Sequence, residues 1–142
     1  MDYLNIVVRD LEKAGQFFVL LDFKIQDQAR LRGDWIFRTV GLENVDAEYL
    51  RLSLPGDGVS VELIRFDSPP GHATEHSDKA NTPGFRHLAF QVQDIEKAVE
   101  VLKANGVKPL SPIQEFTKTG KKMVYFPGPE GILLELAQYP GT

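Results

Sequence analysis

The sequence predicts an α+β fold made of two copies of a βαβββ module. The stretch YLNIVVRDLEKA, Tyr3–Ala14, returns without a gap at His87–Ala98 as HLAFQVQDIEKA, with Leu, Val, Asp, Glu, Lys and Ala at the same places. After each copy come further runs of strand character, the last two joined by a Pro/Gly turn. A repeat this long is no solenoid and suits a duplicated half-domain.

The elements follow in order. LNIVV is nearly continuous apolar and reads as the first strand. Asp10 then stands where a helix N-cap is needed, since its carboxylate can accept from an orphan N–H of the first turn. Glu12 lies in that turn, where the helix dipole favours negative charge. Leu11, Ala14, Phe17, Phe18 and Leu21 recur at three-and-four spacing, the stripe of an amphipathic helix. Strands are expected over residues 23–28, 47–54 and 59–66, with PGDG at 55–58 as the hairpin turn. Residues 29–46 are an extra segment, in which DWIFRTVGL is compatible with a short helix.

Residues 67–84, DSPPGHATEHSDKANTPG, are polar and rich in Pro and Gly, and read as a linker or loop. The second module repeats the plan. LAFQV alternates, with Leu88, Phe90 and Val92 on one face. Asp94 is the second N-cap, with Glu96 in its first turn and Ile95, Ala98, Val99 and Leu102 as the apolar stripe. Asn105–Gly106 supplies the left-handed stop. Strands are expected at 108–110 or a little beyond, 122–126 and 132–138, with PGPEG at 127–131 as the turn. The chain thus divides into a module over about residues 1–66, the linker, and a module over about 85–142, together one domain.

The bulk properties narrow the functional classes. A chain of 142 residues buries roughly 70% of its unfolded surface, enough for a real core. Its 42% hydrophobic and 25% charged residues are those of a soluble globular protein. The net charge of −4, without a basic run, argues against a nucleic-acid partner. The absence of cysteine removes disulfides, thiolate nucleophiles and Cys-ligated zinc. Met1 is followed by Asp2 with no apolar leader, and no run approaches a bilayer-spanning length, so the expected setting is soluble and cytoplasmic, away from membranes.

Chemistry is suggested by a second recurrence. The last strand of each module carries a glutamate among apolar residues, Glu62 in SVELI and Glu135 in LLELA. Burying a carboxylate is costly unless something compensates it. One such residue reads as an outward-facing glutamate on an exposed sheet; two at equivalent positions favour a shared role.

With H-L-x-F-x-V-x-D on the first strand of one module and x-E-L on the last strand of both, the chain resembles the vicinal oxygen chelate superfamily, which includes glyoxalase I, methylmalonyl-CoA epimerase, extradiol dioxygenases and the bleomycin and fosfomycin resistance proteins. TPGFRHLAFQVQDIEKAVEVLKANGV and YFPGPEGILLELAQ carry the resemblance most specifically. It implies a fold in which the paired βαβββ modules form a cupped, partly open mixed barrel around a divalent metal. The ligand positions fall on Tyr3, Glu62, His87 and Glu135. An imidazole and two carboxylates suit Ni, Co, Mn, Fe or Zn. The implied activity is a metal-dependent lyase or isomerase acting on a small substrate with vicinal oxygens, with Glu135 doubling as the base. In the epimerase branch a further glutamate precedes the third strand, and Glu43 falls near that place. A dioxygenase is the weaker variant, since those members present two histidines and one carboxylate. The resemblance also implies a homodimer.

Tyr3 departs from the pattern, which has histidine there. A tyrosine ligates a metal only as phenolate; a neutral Tyr3 would instead donate a hydrogen bond. The alternative to a metal enzyme is a metal-free small-molecule binding protein of the antibiotic-resistance type. Glu62, His87 and Glu135 would then form a cluster without the cation that such a cluster calls for. His72 and His76 share i, i+4 spacing but lie in the expected loop, where solvent exposure is the simpler reading. Trp35 and Phe37 fit a substrate pocket or ordinary packing of a short helix. Arg51 and Arg65 fit an anionic substrate or a solvated sheet face. Arg86 points away from the face of His87 and reads as structural.

Overall fold

The computed structural model describes residues 1–56, 58–75 and 78–141. The chain divides into two compact units, Met1–Ala73 and Thr74–Thr142, each with one four-stranded mixed sheet. The fold is α+β, with the βαβββ order present twice, as expected.

In the first unit β1 (Tyr3–Val7) leads to α1 (Leu11–Leu20), β2 (Lys24–Arg32), α2 (Asp34–Val40), β3 (Asp46–Ser53) and β4 (Ser60–Ser68). The sheet order is β1-β4-β3-β2, with β1 parallel to β4 and the other pairs antiparallel. Asp10 caps α1 by accepting from the Lys13 N–H at 2.9 Å. The helix buries Leu11, Ala14, Gly15 and Phe18 and packs on β3 and β4. There the sheet presents Leu50, Leu52, Val61 and Leu63, all nearly inaccessible. Gly15 lets the helix approach, because a Cβ there would lie 2.6 Å from Leu50 Cδ2. The rings of Phe18 and Phe23 meet edge to face, 5.4 Å between centroids and 87° between planes. DWIFRTV does form a helix, α2. Its Ile36 joins Val45, Ala47 and Ile64 in a small apolar cluster, against which Leu31, Phe37, Tyr49 and Phe66 pack. Strand β2 runs four residues past the expected end, to Arg32, because Arg30 and Arg32 pair with Asp46 on β3 at 3.0 and 2.9 Å. Of the expected PGDG turn, Asp57 lies outside the described residues.

The second unit holds β5 (His87–Gln91), α3 (Ile95–Ala104), β6 (Gln114–Phe116), β7 (Lys121–Pro127) and β8 (Leu133–Gln138), with a single 3-10 turn at Pro129–Gly131 inside PGPEG. The order β5-β8-β7-β6 repeats that of the first sheet, with β5 parallel to β8. Asp94 caps α3 by accepting from the Lys97 N–H at 2.9 Å. Ile95, Val99 and Leu102 are the buried face of α3. The Ile95 N–H donates to Gln138 Oε1 at 2.8 Å, so α3 lies on the face of β8 that carries Leu134, Leu136 and Gln138. Strand β6 begins later than residues 108–110. Pro109 and Pro112 cannot donate to a ladder, although the Leu110 N–H does donate to the Tyr125 carbonyl at 2.9 Å.

Both helices end alike. In α3 the Val107 and Gly106 N–H groups return to the carbonyls of Leu102 and Lys103, with Gly106 at φ 80°. In α1 Phe23 and Asp22 return to Phe18 and Val19, with Asp22, not glycine, at φ 68°. This is the Schellman motif, built once with its preferred residue and once without.

Candidate functional site

Strand alternation decides what shares a face with the two glutamates. In the second unit, opposite the α3 side of β8, the register aligns Tyr125 and Ala89 with Glu135, and His87 with Leu133. Lys121 lies on the same face of β7, four residues before Tyr125. Glu135 is the buried charged residue of the described chain, 4% exposed. Its carboxylate is engaged at both oxygens. His87 Nε2 lies 3.0 Å from Oε2, and Lys121 Nζ donates to Oε1 at 2.8 Å. Tyr125 closes the group from the third side: its hydroxyl is 3.5 Å from His87 Nε2, and the two rings sit 4.8 Å apart, tilted 43°. The Lys121 ammonium also lies 5.5 Å from the Tyr139 ring. Its bond to Glu135 holds Lys121 above the ordinary lysine range, against the opposing effect of burial.

The first unit has the same frame with different chemistry. Glu62 is half-buried and aligned with Asn5 on β1 and Arg51 on β3. Asn5 Nδ2 donates to Glu62 Oε1 at 2.8 Å. Arg51 forms no ion pair with Glu62 among the described residues. Its guanidinium lies over the Tyr3 ring at 4.6 Å, and Nη2 reaches Asp2 Oδ2 at 3.3 Å. Arg51 Nε is buried with no hydrogen-bond partner. Tyr49 donates a short hydrogen bond to Asp27, which raises the Tyr49 phenol above its usual range.

Of the expected site residues, the structure thus brings His87 and Glu135 together in one unit. It sets Glu62 beside Asn5, and Tyr3 beneath Arg51, in the other. Among the described residues no three histidine or acidic side chains gather closely enough to hold a metal. Arg65 is accounted for: it pairs with Glu48 at 3.0 Å and Asp67 at 2.8 Å on the face opposite Glu62. Trp35 is 55% exposed, whereas Phe37 packs on the α2 cluster. Arg86 donates to the Lys79 carbonyl at 3.4 Å. Glu43 is exposed before β3, His72 is exposed in the loop, and His76 lies outside the described residues.

Sequence reasoning missed Lys121, Tyr125 and Asn5. The signal for the first two was present. Once residues 122–126 are read as a strand hairpinned to the one carrying Glu135, alternation puts Tyr125 and Lys121 on the glutamate face.

A sequence model of the glyoxalase/bleomycin resistance protein/dioxygenase superfamily matches residues 1–136. The chain belongs to this superfamily. It is 34% identical over 136 residues to the uncharacterized protein YwkD of Bacillus subtilis, covering 94% of this chain and 92% of the relative. It is 29% identical over 148 residues to a 2-epi-5-epi-valiolone epimerase of an Actinomyces species, covering 97% and 78% of the two chains. A crystal structure of a glyoxalase family protein from Bacillus cereus superposes with a TM-score of 0.92 at 30% identity, covering 99% of this chain and 94% of that one. Among the described residues no helix is long and apolar enough to cross a membrane.

Proposed function

We propose that this glyoxalase-like protein is a divalent-metal-dependent lyase or isomerase acting on a small substrate with vicinal oxygens, of the glyoxalase I or methylmalonyl-CoA epimerase type. The observation that carries the reading is the His87–Glu135 pair on adjacent parallel strands. His87 Nε2 and Glu135 Oε2 are 3.0 Å apart, an imidazole and a carboxylate of the kind that would hold a divalent metal of this class. The family pattern assigns Glu62 and Tyr3 as the remaining donors. The epimerase among the relatives supports the isomerase side of the reading.

When bound, the metal would act as a Lewis acid on a substrate carbonyl or enediolate oxygen. The chain's own residues would do the rest. Glu135, nearly sealed from solvent, would take the substrate proton on its carboxylate and return it. The Tyr125 ring would hold the plane of the His87 imidazole. Asn5 would fix the rotamer of Glu62 through its amide. Elemental analysis of protein purified without chelator should find stoichiometric metal, and Glu135→Ala should lose it. Protein that stays metal-free under saturating Ni, Co, Mn, Fe or Zn sinks the reading.

One observation favours a second reading, a metal-free small-molecule binding protein. The buried Glu135 carboxylate already has a counter-ion, the Lys121 ammonium at 2.8 Å. Binding of candidate ligands followed by Trp35 fluorescence and unaffected by EDTA would favour it. In either case we propose a homodimer, to be checked by light scattering.

A further inference from the structure

A pocket of about 300 Å³ opens in the second unit, with Ala80, Leu110, Pro127 and Leu133 as apolar walls and Asp78 and Lys79 also lining it. The register puts it beside His87. Leu133 on β8 is aligned with His87 on β5 and with Pro127 on β7. Strand alternation sets all three on the face that carries Glu135 and Tyr125. Leu110 joins from the segment before β6, placed by its N–H bond to the Tyr125 carbonyl. The remaining wall is loop, and it is tied down. The Lys79 carbonyl accepts from the Thr82 N–H at 3.2 Å and from Arg86, the residue before His87, at 3.4 Å. Asp78 Cβ lies 3.8 Å from where a Gly131 Cβ would stand, so the loop rests on the turn before β8.

The lining states what the pocket suits. Apolar walls with a few polar groups at one end are the usual design of a small-molecule site. Its two charges answer each other, with Lys79 Nζ 3.3 Å from Asp78 Oδ2. At the sheet end His87 and Tyr125 offer an imidazole and a hydroxyl, whose mutual contact is long at 3.5 Å. We infer that this pocket takes a short, uncharged hydrocarbon arm of the substrate, whose oxygen-bearing end lies at His87 and Tyr125. The substrate is then a vicinal-oxygen compound with an apolar substituent, and Leu110 is a specificity residue. The inference rests on the reading above for the vicinal oxygens and not for the metal.

The test is titration of the full-length protein in EDTA, followed by methyl NMR. The ligands are hydroxyacetone, its analogues with ethyl, propyl and butyl in place of methyl, and a butyl analogue tipped with a carboxylate. Affinity should rise about two- to fourfold with each added methylene, as apolar surface leaves water. The Leu110 and Leu133 methyl signals should shift most. The carboxylate tip should weaken binding at least about tenfold relative to the uncharged butyl analogue. Leu110→Ser, at a side chain 58% exposed, should flatten the length dependence and leave hydroxyacetone within about twofold of wild type. Ala80→Phe, which fills the pocket from the loop, should bar the butyl analogue and spare hydroxyacetone. Circular dichroism identifies whichever variant folds. Affinity that ignores arm length, or a length dependence that both substitutions leave intact, overturns the inference. So does the absence of saturable binding by every ligand, since the arm needs no metal. Methyl shifts that follow protein concentration in place of ligand mean that a second copy covers the pocket, and overturn it as well. Protein that takes up no metal in the elemental analysis sinks the metal reading and leaves this one standing.

Discussion

Removing the Lys121 charge should destabilise the apo protein, and by an amount that depends on Glu135. Lys121→Met deletes the 2.8 Å partner of a carboxylate that is only 4% exposed. Breaking a fully buried pair from one side costs about 3–5 kcal/mol. Two features lower the figure here: the Lys121 side chain keeps 21% of its surface in water, and His87 remains on Oε2 at 3.0 Å. The expected loss is therefore about 2–3 kcal/mol. If the cost comes from the stranded charge, it should largely vanish when Glu135 is already glutamine. The double-mutant cycle of Lys121→Met and Glu135→Gln should then give a coupling of about 2 kcal/mol. Urea unfolding in EDTA, followed by far-UV circular dichroism, measures it. With a slope of about 2 kcal/mol/M, the Lys121→Met midpoint should fall by roughly 1 M. The pH dependence has a definite sign. The folded-state value of Lys121 is raised, so its contribution is complete below the unfolded lysine value of about 10.4 and fades as pH rises through the folded value. The gap between wild type and Lys121→Met should close in strong alkali. A coupling below about 0.5 kcal/mol would refute the argument that Lys121 is the counter-ion of a buried charge.

Three further outcomes follow from the repeat and the packing. Asp22→Gly, which puts glycine where α3 already uses Gly106, should stabilise the protein by about 0.5–1 kcal/mol in the same assay, since Asp22 sits at φ 68°. Gly15→Ala should destabilise by about 1–3 kcal/mol, because its Cβ would meet Leu50 Cδ2 at 2.6 Å with Leu50 only 5% exposed. Asp46 is held down to about 2, first by its hydrogen bonds from Arg32 and then from Arg30. Its contribution is thus present above the unfolded aspartate value of about 3.9 and is lost as pH falls through the folded one. Thermal melts of wild type and Asp46→Asn should converge on acidification through that window.

The sequence made the fold legible where local chemistry and the repeat agreed. Asp10 and Asp94 cap as read because an Asx N-cap needs only three residues of context. The two glutamates lie on β4 and β8, the last strand of each module, as the repeat placed them. What escaped depended on partners distant in the chain. Arg30 and Arg32 read as loop residues until Asp46 supplies the carboxylate that keeps β2 extended. Lys121 and Tyr125 looked like ordinary strand residues because their meaning lies across the sheet, on Glu135 and His87. Arg65, open in the sequence to an anionic substrate or a solvated sheet face, pairs with Glu48 and Asp67.

The parallel pairing of β5 with β8 also governs when this chemistry can exist. His87 and Glu135 belong to the strands that open and close their module in chain order, yet the two strands are neighbours in the sheet. A nascent chain paused between His87 and Leu133 has displayed its imidazole before the Glu135 carboxylate exists. The intervening helix and hairpin strands must be synthesised, and the long loop between the two strands closed, before the pair forms. Synthesis of β8 therefore completes the sheet and the His87–Glu135 pair in a single event. A proteolytic nick that frees β8 should abolish both together, leaving no partly competent fragment.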